Sequence, residues 1–130
     1  MKNNFPNIFQ PFTLRTLTVR NRIVMMPMGS DLAGHNGELS DEHIKYYELR
    51  AKGGTGLILV ENICVKYPEG SNGTTQLRID KDCYIPRLFN LTEACHRHGA
   101  WHRYPAEPCR CIRYEQQNWY AACFRIQYSF

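Results

Sequence analysis

"YYELRAKGGTGLILVE", Tyr46 to Glu61, decides the fold. Its first half belongs to a helix opened by Ser40, whose hydroxyl is placed to cap "DEHIKYYELRAK". Asp41 and Glu42 suit the positive end of that helix, and Ile44, Tyr47 and Ala51 share one face. Gly53-Gly54 stops it. After Gly56 the run "LILV" is continuously apolar and ends at Glu61, as expected of a strand covered on both faces.

The same alternation recurs on either side. Upstream, "FTLRTLTVRN" alternates apolar and polar residues like a half-exposed hairpin, and Ile23 to Met26 is a second apolar run, expected to be buried on both faces and halted by Pro27. The segment "MGSDLAGHNGELS" is rich in Gly, Asn, Asp and Ser and reads as a long loop. Downstream, a second loop spans Asn62 to Asp80. A helix begins at Asp82, with Ile85, Leu88, Leu91 and Cys95 at helical spacing up to Gly99. A third strand is due directly after Ala100. Strand, loop, helix, repeated twice, predicts an α/β fold with a parallel sheet. Ligands of such sheets collect at the carboxyl ends of the strands, here "MMPMGS" and "VENICV". Neither contains a Gly-rich phosphate cradle.

Composition narrows the function classes. The 130 residues carry a formal charge of +4. That charge is spread without a basic run or face, which argues against a nucleic-acid partner. No stretch approaches the length of a membrane span, and the start "MKNNFPNIFQPF" lacks the apolar core of a signal peptide, so a cytoplasmic protein with reduced cysteines is expected. Cys64, Cys83 and Cys95 stand singly in amphipathic segments and read as small apolar side chains. His35 reads as a solvated loop residue and His43 as a surface residue of the first helical turn. Glu61, at a strand end, reads as an anchor for a loop through backbone N–H groups.

Taken in order and spacing, "NRIVMMPMGS", "YYELRAKGGTGLILVE" and "LTEACHRHGA" resemble the start of the NADH:flavin oxidoreductase, or old yellow enzyme, family, with the dienoyl-CoA and enoate reductase branch looking closest. The resemblance covers residues 8–100. It implies the first two β/α units of a TIM (β/α)8 barrel preceded by a small β-hairpin, an incomplete barrel. It also implies FMN held at the carboxyl-end face, with NAD(P)H as reductant and a small activated alkene as substrate. By the same resemblance Met26, Pro27, Met28 and Gly29 match the main chain that lies against the isoalloxazine ring, and Asn62, beside Glu61, matches the next flavin contact. Gly29 stands where many members have Thr or Cys, so any tuning of the flavin here must come from backbone. Asn62 replaces a usual Ala. No catalytic residue and no metal ligand is assigned, and the oligomeric state stays open.

From Trp101 onward the vocabulary changes. Both tryptophans, half of the eight tyrosines and half of the six cysteines fall in these last 30 residues. Where the family has a strand resembling "KIAIQLSHAGR", this chain has "WHRYPAEPCRC", in which Pro105 and Pro108 are poor strand residues. Reverse-translated and read one base later, the codons allowed for that stretch can spell Gly-Ile-Ala-Ile-Gln-Leu-Ser-His-Ala-Gly. A one-base slip near the Ala100 codon therefore explains the change, dividing the chain into a barrel portion, 1–100, and an out-of-frame tail, 101–130. The chain is then an inactive amino-terminal fragment with exposed strand faces and edges, since such a barrel needs about 250 residues to close. Two alternatives stay open. The Arg- and aromatic-rich tail is a binding segment on a truncated scaffold, or Cys95, His96, His98, His102, Cys109 and Cys111 form a metal site.

Overall fold

A computed structural model describes residues 5–103 and 106–107. Strands β1 (Phe12–Leu14) and β2 (Leu17–Val19) form an antiparallel hairpin in the register Phe12 with Val19 and Leu14 with Leu17. The two-residue connection places Arg15 at φ 54, a conformation that lets the chain reverse tightly.

Next come β3 (Val24–Met25), helix α1 (Asp41–Lys52), β4 (Leu57–Leu59), β5 (Ile63–Cys64), helix α2 (Ile85–His96) and β6 (Trp101–Arg103), followed by β7 (Ala106–Glu107). Strands β3, β4 and β6 lie in that order in one parallel sheet, with Val24 beside Leu57 and Leu57 beside Trp101. α1 connects the first pair and α2 the second, the alternation read from the sequence. β5 and β7 pair separately, also in parallel.

Helix α1 starts where its cap requires. Ser40 is extended and its Oγ accepts the N–H of His43 at 3.0 Å. At the other end the N–H of Gly53 bonds back to Leu49, and Gly54 follows at φ 106, a left-handed conformation that ends the helix. The helix then buries Tyr47 and Ala51 against Ile58 and Val60 of the β4 segment and against Leu88, Leu91 and Cys95 of α2. Each fully buried aliphatic side chain of that layer contributes about 1.5–3 kcal/mol. At the amino-terminal side of the sheet, Arg20 donates to the carbonyls of Ala51, Thr55 and His98, joining the ends of both helices to the chain entering β3.

Several expectations are corrected. The run Ile23 to Met26 is not covered on both faces: Val24 is 43% exposed and Met26 61%, because the described residues supply helices for only one side of β3. The loop 62–80 contains β5 at its start, and Cys64 bridges in parallel to Arg78. Asp82 opens a single 3-10 turn, Asp82–Tyr84, before the α-helix proper begins at Ile85 with Pro86 in its first turn, a position where the missing N–H costs nothing. Cys64 and Cys95 are buried as expected, but Cys83 is exposed on that turn. The third strand expected directly after Ala100 is present as β6, Trp101–Arg103, ahead of Pro105.

Candidate functional site

Parallel pairing puts the carboxyl ends of β3 and β4 side by side. Met26, Pro27, Met28 and Gly29 leave β3 as an exposed strip, and Val60, Glu61 and Asn62 leave β4 next to it. A Cβ built on Gly29 would stand 3.9 Å from Asn62 Oδ1, an ordinary contact distance, so the two segments lie side by side. Pro27 fixes φ in the middle of the strip. Met26 and Met28 are 61% and 62% exposed, giving the edge two polarizable apolar flanks.

Behind the strip lies a buried polar cluster. The main-chain N–H of Ser30 donates to Glu61 Oε2 at 2.8 Å, the loop-anchoring role expected of Glu61. His43 Nε2 stands 3.3 Å from the same carboxylate oxygen and 3.1 Å from Ser30 Oγ. The N–H of Glu61 donates to the hydroxyl oxygen of Tyr47 at 3.0 Å, and the imidazole of His43 stacks on the Tyr47 ring with centroids 5.3 Å apart. Burial alone would raise the carboxyl of Glu61, but hydrogen bonds from His43 and Ser30 outweigh it and hold that carboxyl below the usual range. Burial pushes the Tyr47 hydroxyl upward, so it remains protonated.

His43 is therefore not a surface residue; it is fully buried. The signal was present in the sequence, because His43, Tyr47 and Ala51 follow one another at four-residue spacing on a single helix face. Ser30 was missed because a serine ending a Gly-containing loop start carries no spacing signal. His35 is exposed in its loop, as read.

The strip suits a planar heterocycle laid against main chain: it is exposed, apolar at its flanks and without a Cβ at Gly29. The metal alternative lies partly outside the described residues, which leave out the side chain of His102 as well as Cys109 and Cys111. Among the described residues no group of three or more His, Cys, Asp or Glu side chains converges on one point, and His98 lies instead 3.5 Å from Glu48. Most of the tail lies outside the described residues as well.

Comparison with known proteins agrees with this fold. The family model described as NADH:flavin oxidoreductase / NADH oxidase family matches residues 7–102. An NADH oxidase of Thermoanaerobacter brockii is 48% identical over 97 residues, which are 75% of this chain and 15% of that protein. A metal reductase of Desulforamulus reducens is 41% identical over 93 residues, 72% of this chain and 14% of that protein. The chain thus spans about one-seventh of the length of these curated relatives. Among solved structures, the old yellow enzyme from Trypanosoma cruzi superposes with a TM-score of 0.72 at 31% identity, covering 80% of this chain and 27% of that one. A 2-naphthoyl-CoA reductase superposes with a TM-score of 0.73 at 22% identity, over 78% of this chain and 16% of that one, a likeness of fold alone. The chain belongs to the NADH:flavin oxidoreductase / NADH oxidase family.

Proposed function

We propose that this chain is the amino-terminal, flavin-edge portion of an FMN-dependent oxidoreductase barrel, comprising its first β/α units. The family's cofactor is FMN and its reductant NAD(P)H. Met26, Pro27, Met28 and Gly29 present main chain to the isoalloxazine ring, and Asn62 meets the ring from the neighbouring strand. The approach of Gly29 to Asn62 at one end of two parallel strands carries the reading. Bound there, FMN supplies hydride transfer from NAD(P)H to a small activated alkene, in a cytoplasmic enzyme. The chain's own residues hold the edge in place: Pro27 stiffens it and Glu61 ties its far end through Ser30.

Alone, the 130-residue chain supplies two strand ends of a site that a whole barrel surrounds, enough for a weak, rapidly reversible contact but too little to retain a ligand through purification. Purified and passed over gel filtration, it is expected to emerge colourless and to leave NAD(P)H unoxidised. A yellow protein with a flavin absorbance band contradicts the fragment reading.

The same proposal includes the slipped frame. The family match ends at residue 102, two residues into the altered vocabulary. The coding DNA, read one base later after Ala100, is expected to encode Gly-Ile-Ala-Ile-Gln-Leu and to stay open beyond the present stop. A stop codon within a few residues of the shifted frame overturns it.

A further inference from the structure

Ser30, His43 and Glu61 bring a hydroxyl, an imidazole and a carboxylate together, yet they cannot act as a nucleophilic triad. Ser30 Oγ and Glu61 Oε2 both face the same ring nitrogen, Nε2, so no carboxylate orients the ring from the Nδ1 side. His43 is also fully buried. The chemistry available to the cluster is positional.

An ionised carboxylate only accepts, so a proton sits on Nε2, within reach of Glu61 Oε2 and Ser30 Oγ together. Nδ1 is buried without a partner among the described residues. A neutral ring leaves an unfilled acceptor there, a smaller penalty than an orphaned N–H donor beside no acceptor. The groups facing His43 are Tyr47 of its own helix, Glu61 after β4 and Ser30 after β3. Among the described residues Glu61 is its ionic partner.

We propose that His43 is a positioning residue whose Nε2–H pins the Glu61 carboxylate against the Ser30 N–H, fixing where Gly29 stands relative to Asn62. Helix α1 thereby sets the spacing of the two strand ends. The inference rests on the flavin reading only for what that spacing serves; the latch itself stands on the distances.

The test uses the whole chain, isotope-labelled and without flavin. Long-range proton–nitrogen spectra at mildly alkaline pH are expected to show His43 as the Nε2–H tautomer; the Nδ1–H tautomer overturns the proposal. On acidification, the Ser30 amide and the Glu61 carboxyl carbon are expected to move with one shared midpoint below that of a free Glu side chain, and separate midpoints contradict it. His43→Phe keeps a ring against Tyr47 but removes the donor, so exchange of the Ser30 amide should quicken about tenfold, the size of a lost charge-assisted bond. His43→Gln returns an N–H near the Nε2 position and should restore the slow exchange. Unaltered exchange in His43→Phe, or no restoration by His43→Gln, overturns the proposal. If His43→Phe does not fold, the wild-type tautomer and the shared midpoint decide it. No readout involves flavin, so failure of the latch leaves the flavin reading standing, and failure of the flavin reading leaves the latch standing.

Discussion

Gly56 and Asn21 are packed so closely that a Cβ on Gly56 would fall 2.7 Å from the Asn21 main-chain oxygen and closer still to its side-chain oxygen. Asn21 cannot withdraw, because its Nδ2 donates to Gly54 and its Oδ1 accepts from Ile23. Gly56 meanwhile bonds through its N–H to Ile23 and through its carbonyl to Trp101, so it stands where all three parallel strands begin.

Gly56→Ala is therefore expected to destabilise the chain by about 1–3 kcal/mol, the usual cost of forcing a methyl group into a filled space. Urea unfolding followed by circular dichroism measures it. Wild-type stability in that variant would mean the β3 and β4 starts are not packed as described.

Tyr47 makes two separable contributions. Its ring fills the core between α1 and β4, and its hydroxyl accepts the N–H of Glu61. Tyr47→Phe keeps the ring and leaves that N–H buried without an acceptor, which should cost about 1–3 kcal/mol. Tyr47→Ala adds a cavity, and its loss should rise to about 3–5 kcal/mol. Equal losses in the two variants would show that the hydroxyl, not the packing, carries the whole effect, contrary to the structure.

The ionisation of Glu61 gives stability a defined dependence on pH. Its folded carboxyl is held below the unfolded value, so the unfolded chain binds the proton first as pH falls. The stabilisation is fully present above the unfolded value, about pH 4.3, and is lost as pH falls through the folded one. Urea midpoints taken from neutral pH downward should fall more steeply in the wild type than in Glu61→Gln. Parallel lines for the two proteins would contradict this.

Much of this architecture was legible because its signals are local. Ser40, the acidic first turn and Gly53-Gly54 bracket α1 within a residue of the observed helix, and "LILV" contains β4. The side-by-side strand ends follow from the alternation of strand and helix. What the sequence obscured depends on partners far along the chain. Val24 and Met26 have the composition of a doubly buried strand, but their exposure is set by which elements cover β3, and no local pattern encodes that. His43 was misplaced because a histidine in a first helical turn ordinarily faces water. Only the acceptors at Glu61 and Ser30, 18 and 13 residues away, make its burial tolerable.

The central claim, that the Met26 to Gly29 strip and Asn62 form a flavin edge, is tested most directly by titrating FMN into the labelled chain and following its backbone amides. A weak, rapidly reversible contact should shift the amides of Met28, Gly29 and Asn62 together, leaving the amino-terminal side of the sheet around Arg20 and Thr55 unmoved. Shifts confined to other surfaces, or none at millimolar FMN, would contradict the account.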